Sequence, residues 1–168
     1  MHGWLYPLVL VTSFSAVAQN PFEAAKQLAG GAATKKVEQE INKRLLAEGR
    51  RSQCSFKTDS DELMPGCDKK LKSLANVLIE AKKQLNGAGI SNYKFEVSGH
   101  TDSSGSADHN KELSGKRAAV IVKELVTRGV PQGEILSVGM GSDRPLVKPD
   151  DTAAKKAKNR RYEIQVRI

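Results

Sequence analysis

Residues 99–118 read GHTDSSGSADHNKELSGKRA, which gathers His100, Asp102, His109 and several small polar residues ahead of Arg117. The stretch follows an alternating, strand-like run and precedes a run with a helical stripe. Asp102 therefore falls just past a strand end, where a side chain projects from the sheet edge into a crevice, and loops held there commonly carry function. Arg117 comes near the start of the following long helix, so a return of the chain over the strand end would bring the two side chains close together. A carboxylate near a guanidinium allows two arrangements. One is a plain ion pair capping the loop, an interaction that contributes little when partly exposed. The other is a pincer for a zwitterion, in which Asp102 holds an ammonium and Arg117 takes a carboxylate through two parallel hydrogen bonds, a geometry lysine cannot reproduce.

Other chemistry fits these residues less well. His100 and Asp102 can share a strand face, and Asp108 and His109 follow. DSSGSADHN, however, lacks a glycine at the calcium-loop position and the twelfth-place glutamate, and two histidines without a third convergent ligand make a poor zinc site. Ser103, Ser104, Ser106 and Ser114 are near the histidines, but a serine-rich loop is ordinary turn chemistry and no G-x-S-x-G elbow is present. No catalytic residue, metal or cofactor is expected.

The elements that position this junction follow from periodicity. Around Cys54 and Phe56, residues 52–58 read as a short strand. Leu71, Leu74, Ala75, Leu78 and Leu85 share one face of a helix over 68–85, which Asn86-Gly87-Ala88-Gly89 ends. Tyr93, Phe95 and Val97 alternate with polar residues as a half-buried strand. Ala118, Ile121, Val122 and Leu125 form the next helical stripe, with Ser114 as its expected N-cap. Ile135, Leu136 and Val138 read as a third strand. After a polar, lysine-rich loop, Tyr162, Ile164, Val166 and Ile168 alternate as the fourth. The order β-α-β-α-β-β predicts an α/β (α+β) sandwich, a mixed four-stranded sheet with helices on one face.

Before these elements, residues 19–50 read as a helical arm broken at Gly30-Gly31, with Val37, Ile41 and Leu45 in a narrow apolar stripe. That stripe packs on the chain's own domain or docks an envelope protein partner. Residues 1–18, MHGWLYPLVLVTSFSAVA, are uncharged and apolar from Leu5 to Val11, and end in the small-x-small pattern Ala16-Val17-Ala18. They are expected to be a secretory signal peptide cleaved after Ala18, leaving no spanning segment in the mature chain. Export to an oxidising compartment makes a Cys54–Cys67 disulfide the expectation, worth roughly 3 kcal/mol in a chain-entropy account. Across 168 residues the formal net charge is +8, which favours carboxylate or phosphate partners. Aromatic residues make up 5% and none interleave with Lys or Arg in a base-stacking run, so nucleic acid is not an expected partner.

The ordered pattern Gly99-His100-Thr101-Asp102, Gly105, Asn110, Leu113-Ser114, Arg117-Ala118, Gly139-Met140-Gly141, Pro145 and Asn159-Arg160-Arg161-Tyr162-Glu163-Ile164 resembles the OmpA-like peptidoglycan-binding domain. The likeness runs from about Phe56 to the last residue, consistent with a domain over 51–168. It implies a mixed sheet with helices on one face that holds the diaminopimelate side chain of the cell-wall stem peptide, without covalent bonding. By the resemblance, Asp102 and Arg117 bind the ammonium and carboxylate of that ligand. Asn110 holds the loop or contacts the peptide, Ser104 lines the site, Thr101 belongs to the same ligand-binding set, and Arg160 reaches in from the base of the last strand. The pattern departs at Lys57, where the family often has Asp after the first-strand Phe; Asp59, two places on, is the candidate substitute. Such a protein would be periplasmic, associated with the cell wall or outer membrane, and not an enzyme. A flagellar stator or secretion-system adaptor docking through the N-terminal stripe is the alternative.

Overall fold

Alternation in KFEVSGH and RYEIQVR sends Phe95 and Val97, with Tyr162, Ile164 and Val166, to one side of a sheet. The computed structural model, which describes residues 21–168, forms β1 (Lys94–His100) and β3 (Arg161–Arg167) from these runs, paired antiparallel with Phe95 opposite Val166 and Val97 opposite Ile164. On the other side of β1, β2 (Ile135–Gly139) pairs in parallel, giving the order β2-β1-β3. A parallel neighbour needs a long crossover, and α3 (Ala107–Thr127) supplies it. With α2 (Asp68–Gly87), α3 buries Leu71, Leu74, Leu78, Leu85, Ile121 and Leu125 against the apolar sheet face. Each such side chain stabilises the fold by about 1.5–3 kcal/mol relative to exposure. The expected signal peptide, residues 1–18, lies outside the described residues.

The α+β architecture agrees with the sequence, but the four-stranded sheet and its order do not: the described residues form three strands. Residues 52–58 make only an isolated bridge, Phe56 to Leu63. The outer edge of β3, where a further strand would pair, is instead covered by α1 (Pro21–Arg51) and the residues just after it. Asn42 donates from Nδ2 to the Val166 carbonyl at 3.1 Å and accepts the Val166 N–H at 2.7 Å. Gln53 does the same for Tyr162, at 2.8 and 3.2 Å. A carboxamide carries both a donor and an acceptor, so each one satisfies a backbone N–H and C=O pair as a neighbouring strand would.

Two local expectations also change, and the two readings of the N-terminal stripe are decided. The helix α1 runs through Gly30-Gly31 without a break; a glycine costs a helix interior only about 1 kcal/mol, and the surrounding sequence is rich in alanine. Its stripe is not a free docking face, because Ile41 and Leu45 are buried in the chain's own core and Val37 packs against it. The lysine-rich loop contains α4 (Ala153–Asn159), started by Thr152, whose side chain accepts the Lys155 N–H. Among the described residues, no helix is long and apolar enough to cross a membrane.

Candidate functional site

Glycines bring α3 unusually near the ends of β1 and β2. A Cβ on Gly99 would lie 2.9 Å from the Ser114 carbonyl carbon and closer still to its oxygen, and one on Gly139 would lie 2.7 Å from the Gly115 nitrogen. Ser114 is therefore fully buried inside α3 and is not its N-cap; that role falls to Ser106, which accepts the His109 N–H. Ser114 instead accepts the Gly141 N–H at 2.9 Å through Oγ, tying α3 to the loop after β2.

The chain leaves β1 into a turn organised by Asp102. This carboxylate is buried; Oδ1 accepts the Ser104 N–H at 2.9 Å and Oδ2 accepts from Arg160 at 2.7 Å. Asn110, buried in the first turn of α3, donates to the Ser104 carbonyl at 2.8 Å, and Gly105 between them takes a φ of 87° that favours glycine. Lys156 donates to the Ser104 hydroxyl at 2.8 Å. Arg117 is held by its surroundings: Nε donates to the Ser60 carbonyl at 2.8 Å, Nη2 to that of Lys57 at 3.2 Å, and the guanidinium lies 5.1 Å from the Phe56 ring centroid. The segment supplying those carbonyls is closed by the Cys54–Cys67 disulfide, as expected from export, with Cα atoms 5.6 Å apart.

Thr101, Asp102, Ser104, Asn110, Arg117 and Arg160, together with Asp59, all line one cleft of about 970 Å³. The plain ion pair between Asp102 and Arg117 does not form, since Asp102 takes Arg160 and Arg117 takes backbone carbonyls. Nη1 of Arg117 has no partner among the described residues, and the Thr101 hydroxyl is buried without one. Lys57, at the position where the family often has an acid, pairs with Glu62 at 2.5 Å, while Asp59, at a φ of 51°, meets His109 Nε2 at 2.7 Å on the rim. Sequence reasoning missed Asp150, which accepts the Ser103 N–H and hydroxyl and an Asn159 amide N–H and so holds the turn from behind. No local signal marks an interaction between positions so far apart in the chain.

The sequence pattern of the OmpA family matches residues 55–160, well over half of the chain. This chain belongs to the OmpA family. Among its relatives are the probable lipoprotein YiaD of Escherichia coli K12, 36% identical over 110 residues that make up 66% of this chain and 46% of YiaD. The peptidoglycan-binding protein ArfA of Mycobacterium tuberculosis is 43% identical over 73 residues, 44% of this chain and 22% of ArfA. Thus the matched stretch spans less than half the length of either relative. The fold is shared with the crystal structure of the peptidoglycan-associated lipoprotein from Burkholderia pseudomallei, at a TM-score of 0.57 and 22% identity over 69% of this chain and 90% of that one.

Electrostatics in this OmpA-family cleft keep both charges in place. Burial would raise the Asp102 carboxyl, but the bonds from Arg160 and Ser104 outweigh it, and its pKa sits below the ordinary value. Burial lowers Arg117, Arg160 pushes it the same way, and Asp59 and Asp102 oppose them; a guanidinium so lowered is still charged at neutral pH. His100, at the same strand end, is pushed down to about 4, chiefly by burial, with Arg161 and Arg144 adding and Glu163 opposing. The unfolded histidine titrates near 6.5, so between about pH 6.5 and 4 the unfolded chain binds a proton that the native protein refuses. Native stability should therefore be full above about pH 6.5 and fall on acidification towards pH 4, by up to ~3 kcal/mol from this group. Urea unfolding at pH 7 and pH 4.5 should show that part of the slope vanish in His100→Gln.

Proposed function

We propose that this protein binds peptidoglycan non-covalently by clasping the zwitterionic diaminopimelate end of the stem peptide between Asp102 and Arg117. The observation carrying this reading is that the two groups line one cleft, do not pair with each other, and are each held by other residues with bonding capacity to spare. Asp102 receives the ammonium, and Arg117 offers Nη1 to the carboxylate. Arg160 and Ser104 orient Asp102, Asn110 sets the turn, Thr101 lines the cleft beside Asp102, and Asp59 supplies the rim position that Lys57 does not. Two opposite charges at fixed spacing select a zwitterion over either charge alone, for which water competes strongly.

Binding of this kind anchors the chain to the wall, which accords with an exported, periplasmic protein associated with the cell wall or outer membrane and with the peptidoglycan-binding relative. It is recognition and not catalysis. An adaptor docking through Val37, Ile41 and Leu45 is less well supported, because that stripe is occupied by the core. The test is sedimentation with purified sacculi. The protein should pellet with them, free diaminopimelate should displace it, and lysine blocked at its α-amino and α-carboxyl groups, which ends in an ammonium alone, should compete poorly. Equal competition by the blocked lysine and diaminopimelate would remove the basis for the zwitterion clasp.

A further inference from the structure

The same cleft is larger than one amino-acid end requires. Pockets of about 300–1,000 Å³ enclose ligands of drug size, and this one, at about 970 Å³, extends to Leu46 and Arg50 of α1, Leu146 of the loop before α4, and Lys158 of α4. These elements meet over the start of β3, where Gln53 holds Tyr162 and Asn159 accepts the Leu146 N–H. Two features mark this arm as a surface for something else. Leu46 and Leu146 are 37% and 53% exposed, two of the five large apolar residues so exposed among the described residues, and both line this cleft. The neighbouring cations are also mostly committed: Arg51 pairs with Glu48, Lys155 with Asp151, Arg160 with Asp102, and Arg161 with Glu163. Arg50 and Lys158 line the cleft, are exposed, and make no ion pair among the described residues.

We propose that this arm is a second subsite, in which Arg50 and Lys158 bind a carboxylate adjacent to the zwitterionic end while Leu46 and Leu146 contact the ligand's short apolar groups. The inference rests on the peptidoglycan reading above and names the ligand more closely: a diaminopimelate-containing peptide, not the diamino acid alone. In a stem peptide the residue preceding diaminopimelate is a glutamate joined through its side-chain carboxyl, so its own carboxylate is free, and the residue before that is alanine. An anion and a methyl group thus lie beside the zwitterion, matching the two cations and two leucines of the arm. Carboxylates bound by paired cations at a partly apolar surface gain from the lower local dielectric.

Calorimetric titration of the protein with three ligands tests this: free diaminopimelate, the tripeptide alanyl-γ-glutamyl-diaminopimelate, and the same tripeptide with the glutamate carboxylate amidated. Wild type should bind the acidic tripeptide about ten-fold more tightly than the free diamino acid, and amidation should abolish most of that preference. In Arg50→Ala/Lys158→Ala, both positions being exposed and outside the core, the preference should shrink to within about two-fold while affinity for free diaminopimelate is unchanged. A tripeptide preference that survives the double substitution or the amidation overturns the second subsite, as does equal binding of tripeptide and free diamino acid by wild type. If neither free diaminopimelate nor tripeptide binds wild type, the peptidoglycan reading itself falls, and this inference with it.

Discussion

Asp102→Asn and Arg117→Lys are each expected to weaken binding to sacculi and to free diaminopimelate by roughly 30- to 150-fold, the equivalent of about 2–3 kcal/mol for removing a charge-assisted hydrogen bond from a shielded site. Both substitutions nearly conserve volume, so the loss should come without unfolding. Asparagine at 102 can still accept the Ser104 N–H through Oδ1, which preserves the turn, but its amide nitrogen replaces the oxygen that accepts from Arg160, and the negative charge that holds the ammonium is gone. It also leaves the Arg160 guanidinium uncompensated beside the incoming cation. Lysine at 117 keeps the positive charge but loses the planar fork that bonds the Ser60 and Lys57 carbonyls while leaving Nη1 for a carboxylate. Pull-down with sacculi and calorimetry with diaminopimelate report the loss, and thermal unfolding reports the fold. The asparagine variant should also lose a small part of the wild type's acid sensitivity. A carboxyl with a lowered native pKa stabilises the fold above the ordinary carboxylate range, and that contribution disappears as pH falls through the native value. Wild-type affinity in Asp102→Asn would mean that no ammonium is held there by charge.

The parts of the structure legible in the sequence are those set by periodicity. The alternation of Phe95 and Val97 and of Tyr162, Ile164 and Val166 marks β1 and β3, and the leucine stripe from Leu71 to Leu85 marks α2. The ordered pattern also contains Thr101, Asp102, Asn110, Arg117 and Arg160, which the structure places along one cleft, but not Asp150, which holds the turn from behind. What the sequence hides depends on interactions with no local signature. Asn42 and Gln53 look like ordinary surface amides of a helix and its exit, yet they occupy the edge of β3 where the alternation predicts a strand over 52–58. Arg160, not Arg117, is the partner of Asp102 because the β1 and β3 ends lie side by side, with His100 opposite Arg161. The helix α3 begins at Ala107 because Ser106 caps it, and Ser114, which has the right chemistry for a cap, is needed inside, where its hydroxyl bonds the Gly141 N–H.

That seam between α3 and the sheet leads to the largest expected loss of stability, from a single methyl group. Gly99→Ala should destabilise the fold by about 3 kcal/mol or more, the upper part of the range for overpacking, because the new Cβ meets the backbone of Ser114 and no side chain there can turn aside. The helix must move or the strand must bend. Since a domain of this size is stable by only about 5–15 kcal/mol, urea unfolding should show a greatly lowered midpoint. Gly133→Ala is the matched control: a Cβ there has no atom within 4 Å, so its stability should be within a few tenths of a kcal/mol of wild type or slightly higher. The same displacement reaches the cleft. Asn110 and Arg117 ride on α3, whereas Asp102 follows directly from β1, so moving the helix off Gly99 changes the separation of the two charges that clasp the ligand. Under conditions where Gly99→Ala is still fully folded, its affinity for diaminopimelate should therefore fall although no ligand-binding side chain has been altered. Unchanged affinity in that folded population would show that the site tolerates movement of α3, and that fixed spacing of the two charges is not the basis of its selectivity.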